Sequence, residues 1–229
     1  MKPLRNEEEI VKGGAEGGRS QQGYLIGLAP PDILNATDTS FHPIAWASTV
    51  IKRVCRASLH AETMALTKAV ESGTRLRAAI VDMKGKLNLK NWEQSASSQM
   101  GHVWLTDCDS LYEHLVSPKF NTIDNKRLGI DLMALRQLVW ERNGERTEFV
   151  DSGSGDYPRW IDTSTMLADP LTKAMDTSLL DDCMNTGKIS FKPTEEAMIK
   201  KAMNKEWRKK AKEQAQAEKA EREVAMLGG

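Results

Sequence analysis

The first 22 residues are polar and glycine-punctuated, with four glycines, a run of three glutamates and essentially only Leu4, Ile10 and Val11 as apolar positions. Such a pattern is a weak candidate for any buried element. At Gly23 it changes: Gly23-Tyr-Leu-Ile-Gly-Leu-Ala reads as a buried strand, halted by Pro30-Pro31. Pro43-Ile-Ala-Trp-Ala-Ser-Thr-Val-Ile reads as a second strand, and the short polar connection favours an antiparallel pair. From Ser58, a candidate N-cap, the spacing turns helical through Met64, Leu66, Ala69, Val70, Leu76, Ile80 and Met83, and Gly85 ends it.

Residues 84–101 read as a polar connection, and His102-Val-Trp-Leu-Thr as a short strand that stops at Asp107. A helix is predicted just after it through Leu111 and Leu115, limited by Pro118. Leu128, Leu132, Leu135 and Val139 mark one face of a longer amphipathic helix. Arg146-Thr-Glu-Phe-Val is a strand candidate, Ser152-Gly-Ser-Gly-Asp-Tyr-Pro a loop, and residues 163–173 a short helix. Beyond Pro193 the pattern predicts a charged helix to about residue 226 whose narrow apolar stripe is Ile199, Met203, Trp207, Ala211 and Ala215. The resulting division is a flexible segment 1–22, an α/β domain 23–190 and a helical tail 191–229.

Composition narrows the function classes. With 40% hydrophobic and 28% charged residues the chain is of globular type. Its longest clean apolar run, residues 24–29, is far short of the roughly 20 needed to cross a bilayer, so no membrane role is expected. The N-terminus lacks the apolar core of a secretory signal, which predicts an intracellular setting, cytoplasmic or nuclear. Cys55, Cys108 and Cys183 are too scattered for a zinc site and read as ordinary thiols. Lys and Arg balance Asp and Glu at 32 each, so affinity for nucleic acid must come from local patches. Candidates are Lys119, Lys126, Arg127 and Arg136, and a basic run from residue 200 to 212.

Three carboxylates stand where chemistry is delivered: Glu62 in the first turn of the long helix, Asp107 at a strand end, and Asp169 in Leu167-Ala-Asp-Pro-Leu-Thr-Lys173. Hard oxygen ligands of this kind suit Mg²⁺. Each also has a plainer reading: Asp107 can cap the following helix, and Glu62 is favoured at a helix N-terminus whatever its role. His60 reads as structural, and Asp131 as a helix-surface residue.

These segments, in this order, resemble ribonuclease H of the copia-type retrotransposon polyproteins. His60-Ala-Glu-Thr-Met-Ala-Leu66 is similar to the family's second carboxylate segment. Gly18-Arg-Ser-Gln-Gln-Gly-Tyr24 resembles its Gly-Arg-Ser-x-x-Gly-Tyr signature, and Ile44-Ala-Trp46 its Trp-containing third strand. Thr106-Asp-Cys-Asp-Ser110, Arg127-Leu-Gly-Ile-Asp-Leu132 and residues 167–173 resemble three further family segments. The resemblance spans about residues 18–175. It implies a mixed sheet flanked by helices and Mg²⁺-dependent hydrolysis of the RNA strand of an RNA–DNA hybrid. It also implies Glu62, Asp107 and Asp169 as metal ligands, and the reverse transcriptase portion of the parent polyprotein as partner. The family's first carboxylate is an Asp on a first strand upstream of the Gly-Arg-Ser signature, and residues 1–22 contain no aspartate. The chain therefore reads as a fragment with an incomplete catalytic set, or as a non-catalytic nucleic-acid-binding or scaffold remnant.

Overall fold

The computed structural model describes residues 20–34, 36–55, 57–117, 123–142, 149–151 and 155–191, together with Ile199 and Met203. It is a mixed α/β structure of short strand pairs and helices. Strand β1 (Gln21–Leu28) pairs antiparallel with β3 (His42–Val50), as the two apolar runs predict, with a bulge between Ile26 and Gly27. The bulge has a steric reason: a Cβ on Gly27 would lie 2.6 Å from the His42 carbonyl, so only glycine lets the hairpin backbones approach there. A short β2 (Asp38–Ser40) pairs antiparallel with β8 (Lys188–Ser190), closing the end of the domain onto its beginning.

Helix α1 (Ser58–Met83) is the longest element and packs on both β1 and β4 (His102–Thr106). It starts one residue earlier than a Ser58 cap requires: Ala57 occupies the cap position, and no side-chain cap bond forms. The expected polar connection 84–101 instead holds a 3₁₀ turn (Leu89–Asn91) and α2 (Trp92–Gln99). That helix buries only Ala96, so its pattern carries almost no apolar period to read. The predicted helices after Asp107 and around Leu132 are α3 (Asp109–Val116) and α4 (Lys126–Val139). Asn125 caps α4 by accepting from the backbone N–H of Arg127 and Leu128.

The largest departure from expectation lies between residues 149 and 190. β5 (Trp140–Arg142) pairs with β6 (Phe149–Asp151), while the stretch taken for a loop becomes β7 (Asp156–Trp160), parallel to β4. Pro158 argues against a central strand, and the ladder geometry shows why it is tolerated. The bonds His102 N–H to Gly155 carbonyl and Ile161 N–H to Thr106 carbonyl fix the parity of the parallel ladder. By that parity Tyr157 and Arg159 bond β4, and Pro158 turns its missing donor to the outer edge. The expected helix at 163–173 is two 3₁₀ turns, Thr163–Thr165 and Asp169–Leu171, and α5 (Ser178–Thr186) follows unforeseen.

Two apolar clusters form the core. Leu66, Val70, Trp104, Leu111, Leu115, Leu128, Leu132 and Leu135 gather α1, α3 and α4 on one face of β4. Ile33, Phe41, Ile161, Leu167, Cys183 and Ile189 gather on the other face, with Leu25, Val103 and Leu105 packed against them. Ile199 and Met203 are helical and 61% and 66% exposed; the rest of the predicted tail helix, and residues 1–19, lie outside the described residues. No helix among the described residues is long and apolar enough to cross a membrane.

Candidate active site

Between β1 and β4 the structure holds a cavity of about 420 Å³ with α1 as its floor, and the three candidate carboxylates all line it. Glu62 comes from the first turns of α1, Asp107 from the residue after β4, and Asp169 from the start of the second 3₁₀ turn. Segments 45 and 62 residues apart in sequence are thus brought to one opening. Asp169 is held against the β1–β3 hairpin. Ser48 Oγ donates to the Leu171 carbonyl at 2.5 Å, and a Cβ on Gly23 would lie 2.9 Å from Leu171 Cβ and 2.8 Å from Thr172 Cγ2. Asp107 is fixed from the other wall, where its carbonyl accepts from Trp160 Nε1 at 3.1 Å.

The electrostatics bear the mark of crowding. Glu62 reaches solvent, yet its carboxyl holds its proton more tightly than usual, first through partial loss of hydration at the cavity mouth and then through the negative charges of Asp107 and Asp169. Lys173, quoted in the sequence motif without a role, is the counterweight. Its Nζ lies 3.0 Å from Asp169 Oδ1. Burial pulls most on its pKa, downward, but the Asp169 hydrogen bond and the charges of Asp169, Asp107 and Glu62 together raise it.

Donor chemistry at this opening fits a hard divalent cation: carboxylate oxygens only, with mutual repulsion that a cation would relieve. Among the described residues no group of three or more His, Cys, Asp or Glu side chains stands close enough together to hold a metal ion. The three carboxylates therefore share a cavity and a field without forming a finished cage.

The nucleic-acid candidates separate sharply. Lys126 and Arg127 are exposed at the start of α4. Arg136 is not available: it is fully buried, its guanidinium donates to the His114 and Leu115 carbonyls at the C-terminal end of α3, and burial lowers its pKa. The expectation that it contacts phosphate is corrected, because its charge serves to close a helix end. Lys119 lies outside the described residues. Arg53, which sequence reasoning passed over, stands beside Arg127 and is 3.8 Å from Asp131. The adjacent Lys52-Arg53 pair after a strand was the available signal. His60 is buried with its Nε2 3.6 Å from Asp131, which bears out a structural reading for it. All three cysteines are free, Cys183 buried and the others half-buried, as expected.

Compared with family models, curated proteins and solved structures, the chain matches none.

Proposed function

We propose that the chain is a ribonuclease H-like domain of the copia type. In this reading it recognises RNA–DNA hybrid beside a Mg²⁺-binding carboxylate cluster whose catalytic set is incomplete. The observation that carries this reading is the convergence of Glu62, Asp107 and Asp169 on one cavity mouth. Nothing but their place in the sequence motifs selected these three from the chain's 32 acidic residues. Cytoplasm or nucleus is the compartment this reading requires, and the reverse transcriptase portion of a parent polyprotein its natural neighbour.

The residues divide the work. Lys126 and Arg127, with Arg53 nearby, offer exposed cationic contacts for a phosphate backbone at the end of α1 that also carries Glu62. Glu62, Asp107 and Asp169 would hold Mg²⁺, which when bound supplies charge neutralisation at the scissile phosphate and a more acidic water. Lys173 holds the Asp169 carboxylate in place until a cation competes for it. A two-metal clamp needs about four carboxylates, and three are present.

Fluorescence anisotropy with a labelled RNA–DNA hybrid tests it. Weak binding that falls steeply with salt, with no RNA cleavage in Mg²⁺, is expected. Absent or salt-insensitive binding would overturn hybrid recognition, and robust Mg²⁺-dependent cleavage would overturn the incomplete catalytic set.

A further inference from the structure

Two short stretches of the chain carry charge of one sign only. Residues 83–92 hold Lys84, Lys86 and Lys90 and no acid, and residues 174–187 hold Asp176, Asp181 and Asp182 and no base. All six of these residues are exposed. The charges that bound each stretch are of the opposite sign, Asp82 and Glu93 at the first, Lys173 and Lys188 at the second. Both stretches also turn apolar surface to water: Met83 and Leu89 are 79% and 77% exposed with Trp92 close by in sequence, and Met175 and Met184 are about half exposed. Single exposed apolar residues are ordinary, whereas a group of them interleaved with charge of one sign marks an interaction surface.

The basic stretch is a built tip. α1 ends at Met83 in a turn whose Gly85 has a φ of +66°, a conformation that favours glycine, and the Lys86 N–H closes it by donating to the Val81 carbonyl. Ser95 Oγ accepts from the Asn88 N–H at 2.9 Å and donates to the Lys86 carbonyl at 3.4 Å, while Asn88 Oδ1 accepts from the Lys90 N–H at 3.1 Å. The acidic stretch is fixed as well: Asp176 accepts from the Ser178 N–H and hydroxyl, and Asp181 from the Thr177 hydroxyl, around the first turn of α5. The tip joins α1 to α2 on the face of β4 that packs Leu66 and Val70, whereas α5 buries Cys183 in the cluster on the opposite face. With the sheet between them, one chain cannot seat its own tip on its own α5.

We propose that these two surfaces join copies of this chain: the tip of one copy seats on the α5 face of another, lysines opposite aspartates, with Met83, Leu89 and Trp92 against Met175 and Met184. Charge complementarity selects this occupant, since a tip facing a tip, or an α5 facing an α5, would set three like charges against three. The balance of 32 cationic and 32 anionic residues leaves no net repulsion between copies. Methionine adapts its shape to what it meets, which suits the apolar part of the contact. Unlike surfaces meet, so the contact is heterologous and forms reciprocally in a pair or head to tail in a row. The inference goes beyond the nucleic-acid reading and does not depend on it.

The test is sedimentation velocity of the full chain, freed of nucleic acid, over about a hundredfold range of concentration. The average mass should rise with concentration at low salt and fall back as salt screens the contact, a comparison that needs no variant to fold. Two surface variants then decide between this contact and any other. Lys86→Glu with Lys90→Glu reverses the tip, and Asp181→Lys with Asp182→Lys reverses α5. Each variant alone sets like charges face to face, so its dissociation constant should rise by at least about tenfold. An equimolar mixture of the two should regain the association of the parent, because each reversed surface then meets its complement. A parent chain that stays monomeric throughout would overturn the proposal. So would either variant associating as the parent does, or a mixture of variants with native circular dichroism that fails to regain association.

Discussion

Removing the carboxylate of Asp156 is expected to cost this domain a large share of its stability. Asp156 opens β7, is 6% exposed, and accepts from both terminal nitrogens of Arg77, Nη1 to Oδ1 and Nη2 to Oδ2, each at 3.3 Å. His102 Nδ1 stands 3.2 Å from the same Oδ1, and Arg77 Nη1 also reaches the Met100 carbonyl at 3.5 Å. One carboxylate thus joins β7 to α1 and β4, the floor and one wall of the cavity. Arg77 is itself only 6% exposed, so Asp156→Ala leaves a guanidinium shut away from water without its counter-charge.

Breaking a buried pair from one side costs about 3–5 kcal/mol. The 3.3 Å bonds are longer than the usual 2.7–2.9 Å of charge-assisted pairs, which places the expected loss near the lower end, about 3 kcal/mol. Against a total stability of roughly 5–15 kcal/mol that is a fifth or more of what holds the domain folded. Urea unfolding followed by circular dichroism should show the midpoint falling with the slope unchanged. The double variant Arg77→Met with Asp156→Leu should recover most of the loss, because apolar side chains of similar volume remove the need for a partner. A loss below about 1 kcal/mol for Asp156→Ala, or a double variant worse than the single, would refute the reading of this pair as a buried and mutually dependent one.

Three other outcomes follow from the same geometry. Glu62 has its pKa raised above its ordinary 4.5, so in that range the folded chain holds a proton the unfolded chain has released, and stability falls as pH rises through it. Glu62→Gln should therefore be more stable than the parent at neutral pH and equal to it near pH 3; urea midpoints across that range check it, and an unchanged pH slope would sink the crowding argument. Arg136→Met should destabilise by about 1–3 kcal/mol through the α3 carbonyls it abandons, with hybrid affinity per folded molecule unchanged. Arg127→Ala should do the reverse, altering stability by no more than about 0.5 kcal/mol while lowering the salt slope of hybrid binding by about one; the two variants exchanging these effects would reverse the assignment of the basic residues.

Legibility in the sequence followed how much of each element's burial is one-sided and local. α4 could be read from Leu128, Leu132, Leu135 and Val139 because each is buried on one face and the intervening residues other than Arg136 are more open to water. β1 and β3 could be read because their apolar runs are short, bounded and adjacent. β7 could not, since Asp156 and Arg159 are buried polar residues and Pro158 breaks the expected donor pattern. Those positions make sense only when Arg77, 79 residues away, and the carbonyls of Ile33 and Ala36 are in place to receive them. Arg136 failed for the same reason: a charge on a helix looks like solvent-facing basicity until the abandoned end of another helix is seen beside it. The three carboxylates were legible through motif order alone, and neither period nor composition marks them.

The cavity and the carboxylates bear on one another. Asp169 travels with the hairpin wall, through Ser48 and the close packing of Gly23 on Leu171, whereas Asp107 travels with β4 and β7 through Trp160. Glu62 belongs to the floor that both walls rest on. The distance between the Asp169 and Asp107 side chains is therefore set by how far the hairpin wall stands from β4, a width held by the packing of both on α1. This accounts physically for charges close enough to perturb Glu62 and Lys173 but not gathered into a metal cage.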